Sequence, residues 1–437
     1  MAAASALAGA GSLGRFELPA GPLGYGSMLA HMSARDRTRT GARNSLHDLR
    51  GAARLAIEAT RSVTALVEAM QHNVAAGPRI LGRPLDGPNR LLARPIFRSI
   101  RGVTGLVGRS IDVALARLSP LLGESAPGLE REAVLAVLNG VLGDYLAQSG
   151  NPLAIEMRLR HAGRPLVLER RALRRDFPRA SGRLLVLVHG SCLSDRQWAR
   201  PGHDHGAALA RDLGFTPVYL HYNTGLHVSV NGRAFAALLE ELVAAWPVPI
   251  DELAIVAHSM GGLVSRSACH YGEEATHAWR RTLKKLVCLG SPHHGAPLER
   301  GGHWVDLLLG VSRYSAPLAR LGKIRSAGVT DLRFGNVLDE DWKGRDRFAH
   351  ASDLRTPLEL PAGVRCYAVA ATKAPAPGGK LPGDGLVPVD SALGRHPRPE
   401  LTLGFPKSHQ WIATRTGHID LLGRAAVYRK IRSWLSS

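Results

Sequence analysis

Ser259 is the residue of this chain with the most chemistry in its surroundings. It stands in Ile255-Val256-Ala257-His258-Ser259-Met260-Gly261-Gly262-Leu263, where a run of β-formers meets an amphipathic helical pattern. A serine at such a sharp strand-to-helix turn has its hydroxyl lifted clear of the sheet, where it can act as a nucleophile. Its neighbours crowd adjacent backbone, so they must be small or tolerate unusual dihedrals. Gly261 meets that demand, and Ala257, where glycine is usual, adds only a methyl group.

Acyl transfer by serine needs a base, a carboxylate behind the base, and backbone donors for the oxyanion. Asp384 lies in the glycine-flanked stretch Pro382-Gly383-Asp384-Gly385-Leu386-Val387-Pro388. His418 lies in Thr416-Gly417-His418-Ile419-Asp420-Leu421-Leu422, immediately before a helical pattern. Asp390 and His409 are their rivals. Asp390 lacks the glycine-flanked loop, and His409 does not directly precede a helix. Ahead of the elbow, His189-Gly190-Ser191-Cys192 follows the most apolar strand pattern of the chain. Gly190 lets the backbone turn so that the amide of Ser191 can face the site, and the amide of Met260 at the elbow helix N-terminus is the second expected donor. His189, His258, His293 and His294 stand too close to the elbow or the oxyanion loop to act as the base; shaping or packing of the site is their expected role.

These groups have to be positioned by a scaffold. After about Asn151 the sequence alternates strand and helix patterns. Strands are expected at Pro165-Leu166-Val167-Leu168, Leu184–Val188, Pro217–Leu220, Ala254–Val256, Leu286–Leu289 and Cys366–Ala370. Helices are expected near Ala207–Leu213, over Ala234–Trp246, after Ser259, and from about Asp420 to Leu435. Leu184-Leu185-Val186-Leu187-Val188 is apolar at every position, as suits a central parallel strand covered on both faces. The alternation predicts an α/β fold, a doubly wound and mostly parallel sheet with right-handed crossovers. Residues 297–361 break the pattern as a long insertion, apolar around Trp304–Val311, and read as lid-like.

The expected organisation is a flexible tail over 1–44, an N-terminal helical region over 45–150, and the catalytic domain over 151–437. Helical periodicity runs from Leu49 to about Ala75, from Val103 to Leu118, and over Leu129–Leu146 with Val134, Leu138, Val141, Leu142 and Tyr145 inward. These arginine-flanked apolar stripes pack either on the catalytic domain or on a membrane or lipid surface.

Composition limits the partners. The chain has 437 residues and a formal net charge of +20, yet its first 280 residues contain no lysine and their basic side chains are all arginine. That pattern is compositional bias, and no interleaved aromatics mark a nucleic-acid groove, so no nucleic-acid partner is expected. The cysteines Cys192, Cys269, Cys288 and Cys366 form no CxxC pair, so no metal is expected, and they read as reduced core thiols of a cytoplasmic protein. No apolar run approaches the roughly 18 residues of a membrane-spanning helix, and the first ten residues lack the basic region and apolar core of a secretion signal.

Five motifs taken together resemble a known family: Val188-His189-Gly190, Ala257-His258-Ser259-Met260-Gly261-Gly262, Gly290-Ser291-Pro292-His293-His294-Gly295, Asp384-Gly385-Leu386-Val387-Pro388 and Gly417-His418-Ile419-Asp420-Leu421-Leu422. From about residue 180 to its end the chain is similar to the α/β-hydrolase superfamily, and more narrowly to bacterial lipases and esterases related to the GPI-inositol-deacylase-like group. The resemblance implies hydrolysis of carboxylic esters, lipids included, with no metal or organic cofactor. Thioesterase, polyester depolymerase or acyltransferase chemistry on the same triad stays open, as does a non-catalytic membrane-docking role.

Overall fold

A computed structural model describes residues 129–296, 326–345, 352–375 and 381–437. The helices expected before Leu118, the tail ahead of them, and the insertion around Trp304–Val311 lie outside the described residues.

One sheet organises the described residues. Its strands are β1 (Arg158–His161), β2 (Arg164–Pro165), β3 (Arg183–Val188), β4 (Thr216–His221), β5 (Glu252–His258), β6 (Leu283–Leu289), β7 (Arg365–Ala371) and β8 (Gln410–Ala413). Their spatial order is β8-β7-β6-β5-β3-β4-β1-β2. All pairs from β4 to β8 are parallel, and β1 runs antiparallel to both β4 and β2. The doubly wound, mostly parallel α/β fold expected from the sequence is what the described residues adopt.

The helices that matter to the site are α1 (Leu129–Gln148), α2 (His205–Leu213), α3 (Val228–Ala245), α4 (Met260–Glu274), α5 (Ala327–Asp331) and α6 (Ala425–Ser436). The uniform apolarity of β3 has a direct cause. Leu184, Val186 and Val188 join one core with Phe235 and Leu239 of α3 and Leu263 of α4. Leu185 and Leu187 join a second core on the other face with Leu209 of α2 and Val427, Ile431 and Leu435 of α6. Alternate residues of a strand point to opposite faces, so a strand covered by helices on both sides has no polar position to offer.

Two strands escape the sequence pattern. β1 is Arg-Leu-Arg-His, with only Leu159 buried, and β8 is a four-residue edge strand. The strand expected at Pro165–Leu168 shortens to Arg164–Pro165, the return arm of a hairpin on β1. The closing helix begins at Ala425, because Ile419–Leu422 forms a separate 3-10 turn ended at Gly423.

Helix α1 is buried on more than one face. Leu138, Val141 and Leu142 are buried as the periodicity predicts, and so are Asn139, Gly140 and Gly143. Asn139 Nδ2 donates to Leu153 O at 2.8 Å while its Oδ1 accepts from Ile155 N at 2.8 Å. Asn223 Nδ2 donates to Gly143 O at 2.8 Å, and Ser326 Oγ to Gly140 O at 2.7 Å. The described part of the insertion is likewise tied to the sheet layer. Ser267 Oγ of α4 donates to Val337 O at 2.7 Å, and Ala296 N bonds Leu332 O at 3.0 Å.

Candidate active site

β5 delivers Ser259 into a backbone conformation that side-chain-bearing residues rarely adopt, with φ 54° and ψ −126°. Such strain persists only where the surroundings hold it. Here Ser259 N donates to Leu289 O of β6 at 2.8 Å, and α4 starts at the next residue. The elbow is possible because its neighbours lack bulk. A Cβ at Gly261 would lie 2.6 Å from the carbonyl oxygens of both Val188 and His189, and one at Gly190 would lie 2.8 Å from Ser259 Cβ. Ala257 is fully buried in β5.

The acid and the base meet on the same edge of the sheet. His418 Nδ1 donates to Asp384 Oδ2 at 2.7 Å, and both side chains are fully buried. The other carboxylate oxygen accepts from Leu386 N at 2.9 Å and Val387 N at 2.7 Å, so the loop after Gly383 fixes the carboxylate's direction. His418 is held through its backbone as well, its N–H on Asp384 O at 3.2 Å and its carbonyl accepting from His258 Nε2 at 3.1 Å. Gly290, next after Leu289, has φ 57°, and a Cβ there would come within 3.2 Å of Asp384 Oδ2 and 3.3 Å of His418 Cε1. Because Leu289 holds Ser259 N, the imidazole and the elbow lie against adjacent residues of the chain. The outward nitrogen, His418 Nε2, is buried with no hydrogen-bond partner among the described residues.

The rivals lie elsewhere. Asp390 is exposed and faces Arg395, and His409 Nδ1 meets Cys366 O at 3.1 Å.

The loop after β3 crosses beside the elbow. Ser191 is buried, and its N–H has no partner among the described residues; Met260 N–H begins α4. Cys192 holds φ 58° and donates its N–H to Thr224 Oγ1 at 3.1 Å. Sequence reasoning did not single out Thr224. The signal that could have found it is Asn223-Thr224-Gly225, polar residues set directly after the apolar strand β4 at the same sheet edge.

The remaining histidines divide into two groups. His189 stacks on Tyr222 with ring centroids 4.4 Å apart, and burial pushes its pKa down to about 3. Burial also holds His258 well below its ordinary range, so its Nε2–H toward His418 belongs to a neutral ring. His293 and His294 gather instead with Arg266 and Arg355, where Arg355 Nη1 donates to His293 O at 2.8 Å. Among the described residues Glu132, Asp195 and His221 are the one group spaced for a metal ion, but Arg160 Nη1 already bonds Glu132 Oε2 and Asp195 Oδ1, both at 3.1 Å. A guanidinium between the carboxylates takes the place a cation would need.

With this geometry in view, the family comparison is direct. Residues 179–357 match the model of the PGAP1-like alpha/beta domain. The matched stretch spans the loop after β3, the elbow and β6, and the expected resemblance to that group is borne out. Asp384 and His418 lie beyond its matched end. Among solved structures the chain is similar to a Bacillus licheniformis lipase in its mature form, at 17% identity over 64% of this chain and 98% of that one, with a TM-score of 0.39. An Aspergillus fumigatus lipase B aligns at 12% identity over 58% of this chain and 52% of its own, with a TM-score of 0.36. A Thermogutta terrifontis esterase aligns at 14% identity over 59% and 90%, with a TM-score of 0.32. At these scores no substrate or residue role passes from them to this chain. No curated protein matches the sequence.

Proposed function

We propose that the PGAP1-like domain is a serine hydrolase that cleaves carboxylic esters, lipids among them, through an acyl-enzyme. Ser259 Oγ attacks the ester carbonyl while His418 Nε2 takes its proton. Asp384 holds the imidazole in the tautomer that leaves Nε2 free and stabilises the imidazolium that forms. The N–H groups of Ser191 and Met260 receive the oxyanion, each such donor lowering the barrier by about 3 kcal/mol. His418 then returns the proton to the leaving alcohol, and a water repeats the sequence on the acyl-enzyme.

The observation that carries this reading is the 2.7 Å Asp384–His418 contact beside an elbow serine, with the far imidazole nitrogen buried and free. A fluorophosphonate probe should label Ser259, and p-nitrophenyl esters of graded chain length should be turned over. Equal turnover by wild type and Ser259→Ala would remove the proposal. Chain-length preference in the same panel separates an esterase from a lipase. Among the described residues no helix is long and apolar enough to cross a membrane. The peripheral contact expected through the N-terminal helical region 45–150 involves α1 and segments outside the described residues; liposome co-sedimentation with and without residues 45–128, a deletion that spares the buried α1, tests the part ahead of it.

A further inference from the structure

Two helical turns beyond Ser259, α4 carries Arg266, which is 4% exposed. Among the described residues its side chain makes one hydrogen bond, from Nη2 to Leu358 O at 2.7 Å, and its Nε is buried with no partner. A buried guanidinium without a counter-charge costs several kcal/mol, so a fold that keeps one usually offers it an anion.

Asp353, Asp341 and Asp339, carboxylates of the surrounding segments, are engaged elsewhere. Asp353 takes both ends of Arg355, from Nε at 2.9 Å and Nη2 at 2.9 Å. Arg398 and His396 share the same Asp353 oxygen at 3.6 Å. Asp341 accepts from the amides of Val337, Leu338 and Thr356, each at 2.9 Å. Asp339 is held by Arg233 and Lys343 at 2.8 Å. None of them meets Arg266.

Beside Arg266 lies a cavity of about 20 Å³, lined also by His293, His294, Arg355, Val337 and Leu403. His293 is fully buried there, and neither of its ring nitrogens has a partner among the described residues. A space of this size admits a single small occupant, since about 10–15 Å³ suffices for a water. A water would satisfy the Arg266 N–H but leave its charge unanswered. A monoatomic anion answers both, and a neutral imidazole can give it an N–H.

We propose that this cavity is a binding site for one chloride-sized inorganic anion, held by Arg266 and His293 with Arg355 behind them. The ion ties three segments together: the elbow helix, the 290–296 loop after β6, and the 353–358 strap. It is separate from the ester chemistry, and it stands or falls without it.

The test uses the full-length protein. Crystals soaked in bromide should show an anomalous peak in the cavity between Arg266 and His293. In solution, replacing gluconate by chloride at constant ionic strength should raise the wild-type melting temperature, by about 2 °C per ten-fold increase once the site begins to saturate. Ser259→Ala should keep that dependence and Arg266→Met should lose it. A cavity without bromide, or a wild-type melting temperature equal in chloride and gluconate, overturns the proposal. The bromide experiment needs no variant, so it decides even if Arg266→Met fails to fold.

Discussion

His418–Asp384 and His227–Asp331 are two of the histidine–aspartate contacts among the described residues, and what surrounds the two rings differs. His418 Nδ1 meets Asp384 at 2.7 Å; His227 Nδ1 meets Asp331 at 3.0 Å. Each carboxylate also receives backbone or amide donors: Leu386 and Val387 on Asp384, Val228 and Asn336 on Asp331. What differs is the rest of the histidine. The His418 ring lies against Gly290 beside the strained serine, and its far nitrogen is unengaged. The His227 ring is stacked on Trp342 at 3.7 Å and 8°, pinned as a structural plate at the start of α3. A histidine–aspartate contact is therefore a positioning device in general. It becomes a proton relay only where the imidazole's other edge faces a nucleophile.

The largest effects test that contrast. Ser259→Ala should lower kcat on a p-nitrophenyl ester by about 10⁶-fold, as expected when the nucleophile of an interdependent triad is removed. Asp384→Asn should lower it by about 10⁴-fold, through the wrong imidazole tautomer, with little change in KM. Asp331→Ala should leave kcat within about ten-fold. Its cost falls on stability, about 3 kcal/mol, because Val228 N–H and Asn336 lose a buried acceptor. If Asp331→Ala silenced the enzyme and Asp384→Asn did not, the two pairs would have been assigned the wrong way round.

How much of this is legible in the sequence follows from locality. Ser259 and its glycine neighbours are readable because the elbow is a local backbone problem, with local rules about size. Asp384 is readable as a candidate from its glycine-flanked loop and His418 from its place directly before a helical pattern. Their pairing is not, since it requires β7 and β8 to lie side by side and β8 is too short to register as a strand. The polar stretch 223–225 marks Thr224 as a candidate, but its contact, the Cys192 N–H, is 32 positions away on a neighbouring strand's loop and cannot be read locally. The expected periodicity of α1 is correct at Leu138, Val141 and Leu142, but it misses the burial of Asn139, Gly140 and Gly143. Asn139 faces the backbone of Leu153 and Ile155, and Gly140 and Gly143 leave room for the Cys192 and Asn223 side chains, so none of the three positions asks for an apolar side chain.

The next effect is one of pH. Burial lowers the pKa of His205 and His294 to about 4, that of His189 to about 3, and that of His258 well below its ordinary 6.5. In the unfolded chain these rings protonate as pH falls through about 6.5, whereas in the folded chain they stay neutral. The unfolded state then binds more protons, so stability is highest above pH 6.5 and declines as the pH drops toward 4. Each ring contributes up to about 1.4 kcal/mol per pH unit over that window. Denaturant midpoints between pH 7.5 and 4.5 check the sign; stability that held or rose on acidification would mean that these rings are not buried neutral. The Asp331→Ala and Asp384→Asn variants should show the same slope, since neither carboxylate leads the causes of these shifts.

The smallest effect concerns Thr224, in the segment between β4 and α3. Its Oγ1 accepts the Cys192 N–H at 3.1 Å, while next to it Gly225 O accepts Gly328 N at 2.9 Å, from the α5 segment that carries Asp331. The His227–Asp331 side thus reaches the loop after β3 through residues 223–227. Thr224→Val keeps the volume and removes the acceptor, leaving a buried N–H unpaired in the loop that aims Ser191. The expected result is a fall in kcat of about ten-fold with KM unchanged, equivalent to roughly 1.4 kcal/mol, in line with one lost buried hydrogen bond. Thr224→Ser, which restores the acceptor, should recover most of the rate. A purely structural role predicts a lower melting temperature with kcat intact, and recovery by serine of stability alone. Were that the outcome, the second pair would support the fold but not the loop after β3, and the two pairs would be independent.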